Sequence, residues 1–250
     1  MVNSCETDNW HEEQPMATQL TWYGHGTWLI DTGSHKILLD PFLDENPSSP
    51  IKAVHAAADV ILLSHGHFDH VGLRSDGDFD VVEIAKRTGA QVVTILEMAQ
   101  WINRQGVENA VGMNIGGTFQ SLAGPVRMTQ AVHSSSLPNG EYGGDPVGFI
   151  LEVPEGLIYL ACDTDLFSDM QLIGEKGILL AIVPIGDHYT MGVNDSIRAI
   201  QWISPKHVAP AHYDTWPPIA QDANAWAEKV KCETSSQPHV IKPGETITLN

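Results

Sequence analysis

The sequence predicts one mixed α/β domain with sheets packed between helices, and three observations support this. Apolar runs of strand length recur along the whole chain. The early ones are joined by hairpin signals, and the later ones alternate with segments of helical period. Nearly every histidine or aspartate cluster falls where such a run stops, the place where layered α/β proteins gather functional side chains.

The first three runs, 20–23, 27–31 and 36–39, are closely spaced, and Gly33-Ser34 between the second and third reads as a tight turn. Runs 60–63 and 91–95 follow, with helical periodicity at 81–87 and 97–104. Strands are then expected at 126–131, 148–153, 157–161, 178–183, 208–211 and 246–249, with Pro154-Glu155-Gly156 turning between two of them. Helices are expected at 195–203 and 219–230, and Asp195 suits an N-cap for the former. No short-period repeat or low-complexity linker interrupts the series, so residues 16–250 are expected to form a single domain.

Composition narrows the function. Thirteen basic against 31 acidic residues give a formal charge of −18, which repels phosphate backbones and argues against a nucleic-acid binder. No apolar stretch approaches the ~20 residues of a membrane helix. Cys5, Cys162 and Cys232 are scattered, without a C-x-x-C pair, so no disulfide framework is expected and a reducing cytoplasm is the expected location. Residues 1–15 are acidic and lack Lys or Arg, unlike a secretory or transit signal, and are expected to be a disordered extension.

The densest chemistry is His65-Gly66-His67-Phe68-Asp69-His70, directly after Val60-Ile61-Leu62-Leu63. Neutral imidazoles and carboxylates are the ligands that zinc and similar ions prefer. With 12 histidines in 250 residues, H-x-H-x-D-H arises by chance in on the order of one chain in five hundred. His65 and His67, two apart at a strand exit, can bite one ion from the same side. Asp69 and His70 are offset toward a second. Four residues cannot fill two coordination spheres, and His133, Asp163 and His212, each just past an apolar run, are the candidates to complete them.

With these residues in this order, the chain resembles the metallo-β-lactamase superfamily over roughly residues 18–250. Gly24-His25-Gly26-Thr27, Leu39-Asp40-Pro41-Phe42, the loop from Gly186 to Gly192 and Ala211-His212-Tyr213-Asp214-Thr215 look like its branch of metal-dependent hydrolases related to the ascorbate-phosphate lactonase group. The resemblance implies a four-layer αββα sandwich with a dinuclear centre at one edge. It assigns His65, His67 and His133 to one ion, Asp69, His70 and His212 to the other, and Asp163 as the bridge. Such a pair of ions, zinc first with manganese or iron also suited, holds a hydroxide for attack on a small ester-like substrate. A lactone or a phosphorylated small molecule comes first on the branch resemblance, and a phosphodiester is the alternative.

Other residues carry open readings. His25 could orient substrate or be a turn histidine. Asp40 could orient a ligand histidine from behind, and so could Asp187. His188 could protonate a leaving oxygen or hold substrate, with Asp69 the other candidate for a catalytic role. Trp216 could line the pocket mouth. The rival to an enzyme is a non-catalytic metal-binding protein on the same scaffold. Structural zinc sites are closed, whereas seven ligands over two ions leave positions open.

Overall fold

In the computed structural model, residues 17–249 are described; the extension expected at 1–15 lies outside them. Two seven-stranded sheets form the centre. The first comprises β1 (Gln19–Trp22), β2 (Trp28–Asp31), β3 (Lys36–Leu39), β4 (Val60–Leu62), β5 (Gln91–Ile95), β6 (Ala110–Met113) and, from the chain end, β14 (Thr246–Thr248). Its order is β14-β1-β2-β3-β4-β5-β6. The second comprises β7 (Thr118–Ser121), β8 (Gly124–Gln130), β9 (Val147–Val153), β10 (Gly156–Leu160), β11 (Ile178–Pro184), β12 (His207–Ala211) and β13 (Gln237–Pro238), in the order β13-β12-β11-β10-β9-β8-β7.

The two sheets follow one plan. Strands β14-β1-β2-β3 and β7-β8-β9-β10 pair antiparallel, as hairpin signals require. From β3 to β6 and from β10 to β13 the pairing is parallel. Parallel strands need crossovers, and the helices supply them. Helices α1 (Phe68–Val71), α2 (Asp80–Thr88) and α3 (Leu96–Arg104) belong to the first half; α4 (Met170–Gly174), α5 (Val193–Ile203) and α6 (Ala223–Glu233) belong to the second. Helix α3 packs on β5 and β6, α5 on β11 and α6 on β13, which completes the αββα sandwich. Strand β11 is buried at every position, as a central parallel strand covered on both faces should be. Trp28, Phe149, Tyr159 and Trp226 are among the largest fully buried side chains of the core.

Two helix starts differ from expectation. Helix α5 begins at Val193, with Gly192 at the cap position, so Asp195 sits inside the first turn where its charge favours the helix N-terminus. The 219–230 pattern splits: a short 3-10 turn over Pro217–Ile219 ends before α6, whose true cap is Asp222, accepting from Ala225 N–H at 2.9 Å.

Candidate metal centre

The parallel halves of both sheets end on the same edge, and the site is made there from strand exits. Asp40 follows β3, the 64–70 segment follows β4, Asp163 follows β10 and His212 follows β12; His133 lies beyond β8. At several exits the chain turns through the left-handed region: φ is +42° at Asp40, +56° at Cys162 and +53° at His212, with +54° at His25 in the β1–β2 turn. Non-glycine residues adopt this conformation at a cost on the order of 1–3 kcal/mol each, and such outliers gather at functional sites. Gly66 inside the motif is dictated by contact, because a Cβ there would lie 2.8 Å from the Ser136 carbonyl oxygen. Gly186 is more strictly required, since its Cβ would meet the His212 carbonyl oxygen at 2.1 Å.

Seven side chains converge. His65 Nε2 and His67 Nδ1 lie 2.9 Å apart, and His65, His67 and His133 place ligand atoms within 4.8 Å of one another. A second such group holds Asp69, His70 and His212 together with His25. Asp163 Oδ2 sits among them, 3.0 Å from His212 Nε2, 3.3 Å from His70 Nε2 and 3.7 Å from His133 Nε2.

Behind the ligand atoms, Asp40 is almost fully buried and accepts three hydrogen bonds. They come from Ser64 N–H at 2.7 Å, Ser64 Oγ–H at 2.6 Å and His70 Nδ1–H at 2.8 Å. Because the Ser64 hydroxyl donates to Asp40, it accepts from His65 Nδ1–H at 2.9 Å. One carboxylate thereby fixes the tautomers of two histidines, leaving Nε2 of each free to face the centre.

Electrostatics match a cation site. Burial pushes the His65, His67 and His133 imidazoles below their ordinary range, His65 furthest, which favours the neutral form that ligates metal. Burial would raise the Asp163 carboxyl, but His212 and His70 outweigh it and hold it well below the usual range. Asp69 is likewise held low against burial, by His25 and His70. His70 is the exception: burial opposes its protonation, yet Asp163 and Asp40 on either side hold it well above its ordinary value. Two buried carboxylates thus demand positive charge between them. His70 Nε2 is also buried without a well-formed hydrogen bond. Such a donor set fits first-row divalent ions.

The remaining candidates separate. His25, considered as a substrate contact, is wholly buried; its Nε2 lies 3.1 Å from Asp69 Oδ2 and its Nδ1 2.8 Å from the Thr215 hydroxyl. Since burial keeps this ring neutral, with its pKa pushed down to about 4, Nε2–H donates to Asp69 and Nδ1 accepts from Thr215. In this arrangement His25 fixes the position of the Asp69 carboxylate. Asp187 and His188 are exposed; the Asp187 carboxylate accepts from His188 N–H at 2.9 Å instead of reaching a ligand histidine. The His188 ring stands edge-on to Tyr189, and of these two it is Tyr189 that lines the cavity over the centre. Trp216 lines that cavity, as do Phe68 and Ser134, which sequence reasoning missed. Phe68 sits inside the motif itself and could have been suspected from its place between ligands.

Comparison with known proteins agrees with this geometry. Residues 35–213 match the beta-lactamase superfamily domain. The chain is 42% identical over 232 residues to a UPF0173 metal-dependent hydrolase of Thermus thermophilus, covering 93% of this chain and 99% of that protein. It is 45% identical over 237 residues to a counterpart from Shouchella clausii, covering 92% and 100%. Among solved structures, the metallo hydrolase Igni18 of Ignicoccus hospitalis superposes with a TM-score of 0.82 at 33% identity, covering 94% of this chain and 99% of that one. The chain belongs to the metallo-β-lactamase superfamily, among its UPF0173 metal-dependent hydrolases.

Proposed function

We propose that this hydrolase works with a dinuclear centre on a small ester-like molecule. The observation that carries the reading is the position of Asp163 Oδ2, within 3.7 Å of His133 on one side and 3.0 Å of His212 on the other. His65, His67 and His133 would hold one ion, Asp69, His70 and His212 the other, and Asp163 would touch both. Two such ions, zinc first with manganese or iron also suited, would supply a hydroxide near neutral pH and electrophilic polarisation of the substrate oxygen.

The chain's own residues do the positioning. Asp40 sets the ring orientation of His70 directly and of His65 through Ser64. His25, braced by Thr215, sets the Asp69 carboxylate. His188 and Asp187 have no part in this scheme, because both are solvated outside the cavity. A lactone and a phosphorylated small molecule both suit the chemistry, and the branch resemblance supports either.

Protein purified without chelators is expected to hold about two divalent ions per chain by elemental analysis. Chelation is expected to abolish turnover, and added metal to restore it. A content well below one ion that zinc or manganese did not raise would defeat the dinuclear reading. Turnover that survived complete metal removal would defeat the hydroxide mechanism.

A further inference from the structure

The cavity over the metal centre encloses about 500 Å³, the size of a small-molecule pocket. Its floor is the ligand cluster, and its wall, Ser134 apart, is aromatic or apolar. Phe68, Tyr189, Trp216 and Pro218 line it, and among the described residues no lysine or arginine does. Phe68 and Tyr189 remain 49% and 55% exposed, and with Trp216 and Pro218 they line one cavity, as at a ligand-binding groove.

The Phe68–Trp216 part of the wall is braced from behind. Phe42, itself buried, stands 6.2 Å from the Phe68 ring and 6.0 Å from Trp216, and those two are 5.9 Å apart. Trp216 further packs edge-on at 5.0 Å against the buried His25 ring. Three mutually packed rings present a preformed aromatic surface, so binding there orders little.

Charge points the same way. Asp40, Asp69 and Asp163 offset three of the four positive charges that two divalent ions bring, so the loaded centre attracts a multiply charged anion only weakly. The protein as a whole carries −18, which opposes the approach of anions.

Resting on the reading that this cavity is the substrate site, we infer that the substrate is uncharged and carries an apolar group. That group is seated on the Phe68–Trp216–Tyr189 wall beside the scissile carbonyl. Alkyl-substituted lactones and neutral esters fit; a phosphorylated molecule would meet no cationic side chain.

The test uses full-length, metal-loaded protein with γ-butyrolactone, γ-hexalactone and γ-decalactone, and with a γ-lactone bearing a carboxylate in place of the alkyl group. Affinity of the uncleaved neutral amides N-methylacetamide and N-hexylacetamide is measured by calorimetry on loaded and metal-free protein. Turnover efficiency and amide affinity are expected to rise roughly three- to fourfold per added methylene until the wall is covered. The carboxylated lactone should be at least tenfold poorer than the alkyl ones. Tyr189→Ala and Trp216→Ala should flatten both chain-length series while metal content stays at the wild-type level; the exposed Tyr189 guards against a folding defect in the Trp216 variant.

Hydrolysis with no chain-length dependence, or a preference for the carboxylated lactone, would overturn the inference and leave the hydrolase reading standing. Chain-dependent amide binding that Tyr189→Ala weakens, without turnover of any lactone, would support the apolar seat and count against the ester-like reaction. Amide affinity indifferent to chain length would overturn the seat on its own.

Discussion

Asp163→Ala is expected to lower the affinity for both ions together and to cut turnover by a thousandfold or more. The carboxylate lies within 4 Å of imidazoles from both ligand groups, so its removal takes a negative charge from between them. The several kcal/mol of charge stabilisation that the ions supply amount to roughly three powers of ten in rate. His212→Ala is the control, because it removes a ligand from one group only. Competitive titration with a chromogenic chelator should show two weakened sites in the first variant and one in the second. Identical loss in both would refute the allocation of ligands proposed above.

Asp40→Ala should produce the largest loss of stability. The side chain is 1% exposed and accepts from three donors, all of which would be left buried without an acceptor. Removing one member of a buried charged pair costs about 3–5 kcal/mol. At about 2–4 °C per kcal/mol for a chain of this size, metal-free protein should melt on the order of ten degrees lower. Affinity for both ions should also fall about 10–100-fold, because Asp40 orients His70 directly and His65 through Ser64. Asp40→Asn is no milder substitute at His70: unless its oxygen faces the ring, its amide donor favours the wrong tautomer. Scanning calorimetry without metal, alongside chelator competition, separates the two effects. A variant that melted like the wild type while losing metal would confine Asp40 to the centre.

Much of the site was legible because metal chemistry leaves a dense local signature. H-x-H-x-D-H at the end of Val60-Ile61-Leu62-Leu63 named both a strand exit and four ligand candidates, and the structure puts those four in one cluster with His133, Asp163 and His212. Period-two runs and turn dipeptides likewise located the long strands. Short elements escaped. Strand β6 is four residues with Gly112 in the middle, and α1 and α4 are four and five residues, too short for periodicity to show.

Side-chain direction was the other blind spot. His25 and His188 both sit in glycine-bearing loops after apolar runs, and nothing in the sequence tells them apart. Burial in the fold does. All three residues turn through the left-handed region, His25 at +54°, Asp187 at +61° and His188 at +43°, yet the His25 ring is buried beside Asp69 while the Asp187 and His188 side chains end in solvent. Of the aromatic wall only Trp216 was suspected: Phe68 opens α1, Tyr189 and Trp216 lie in two distant loops, and the three meet only in space.

The division of the ligands between the two sheets carries a mechanical consequence. His65, His67, Asp69 and His70 hang from the first sheet; His133, Asp163 and His212 hang from the second. An ion held by this set is a rivet through the sandwich, and the separated halves of an unfolded chain cannot reproduce it. Mass action then ties shelf life to free metal: at a thousandfold excess over Kd, a single site adds about 4 kcal/mol to the folded state. Melting temperature should climb with zinc or manganese concentration well past the point where activity saturates. Scarcity of metal would therefore silence the enzyme and loosen its fold at the same time.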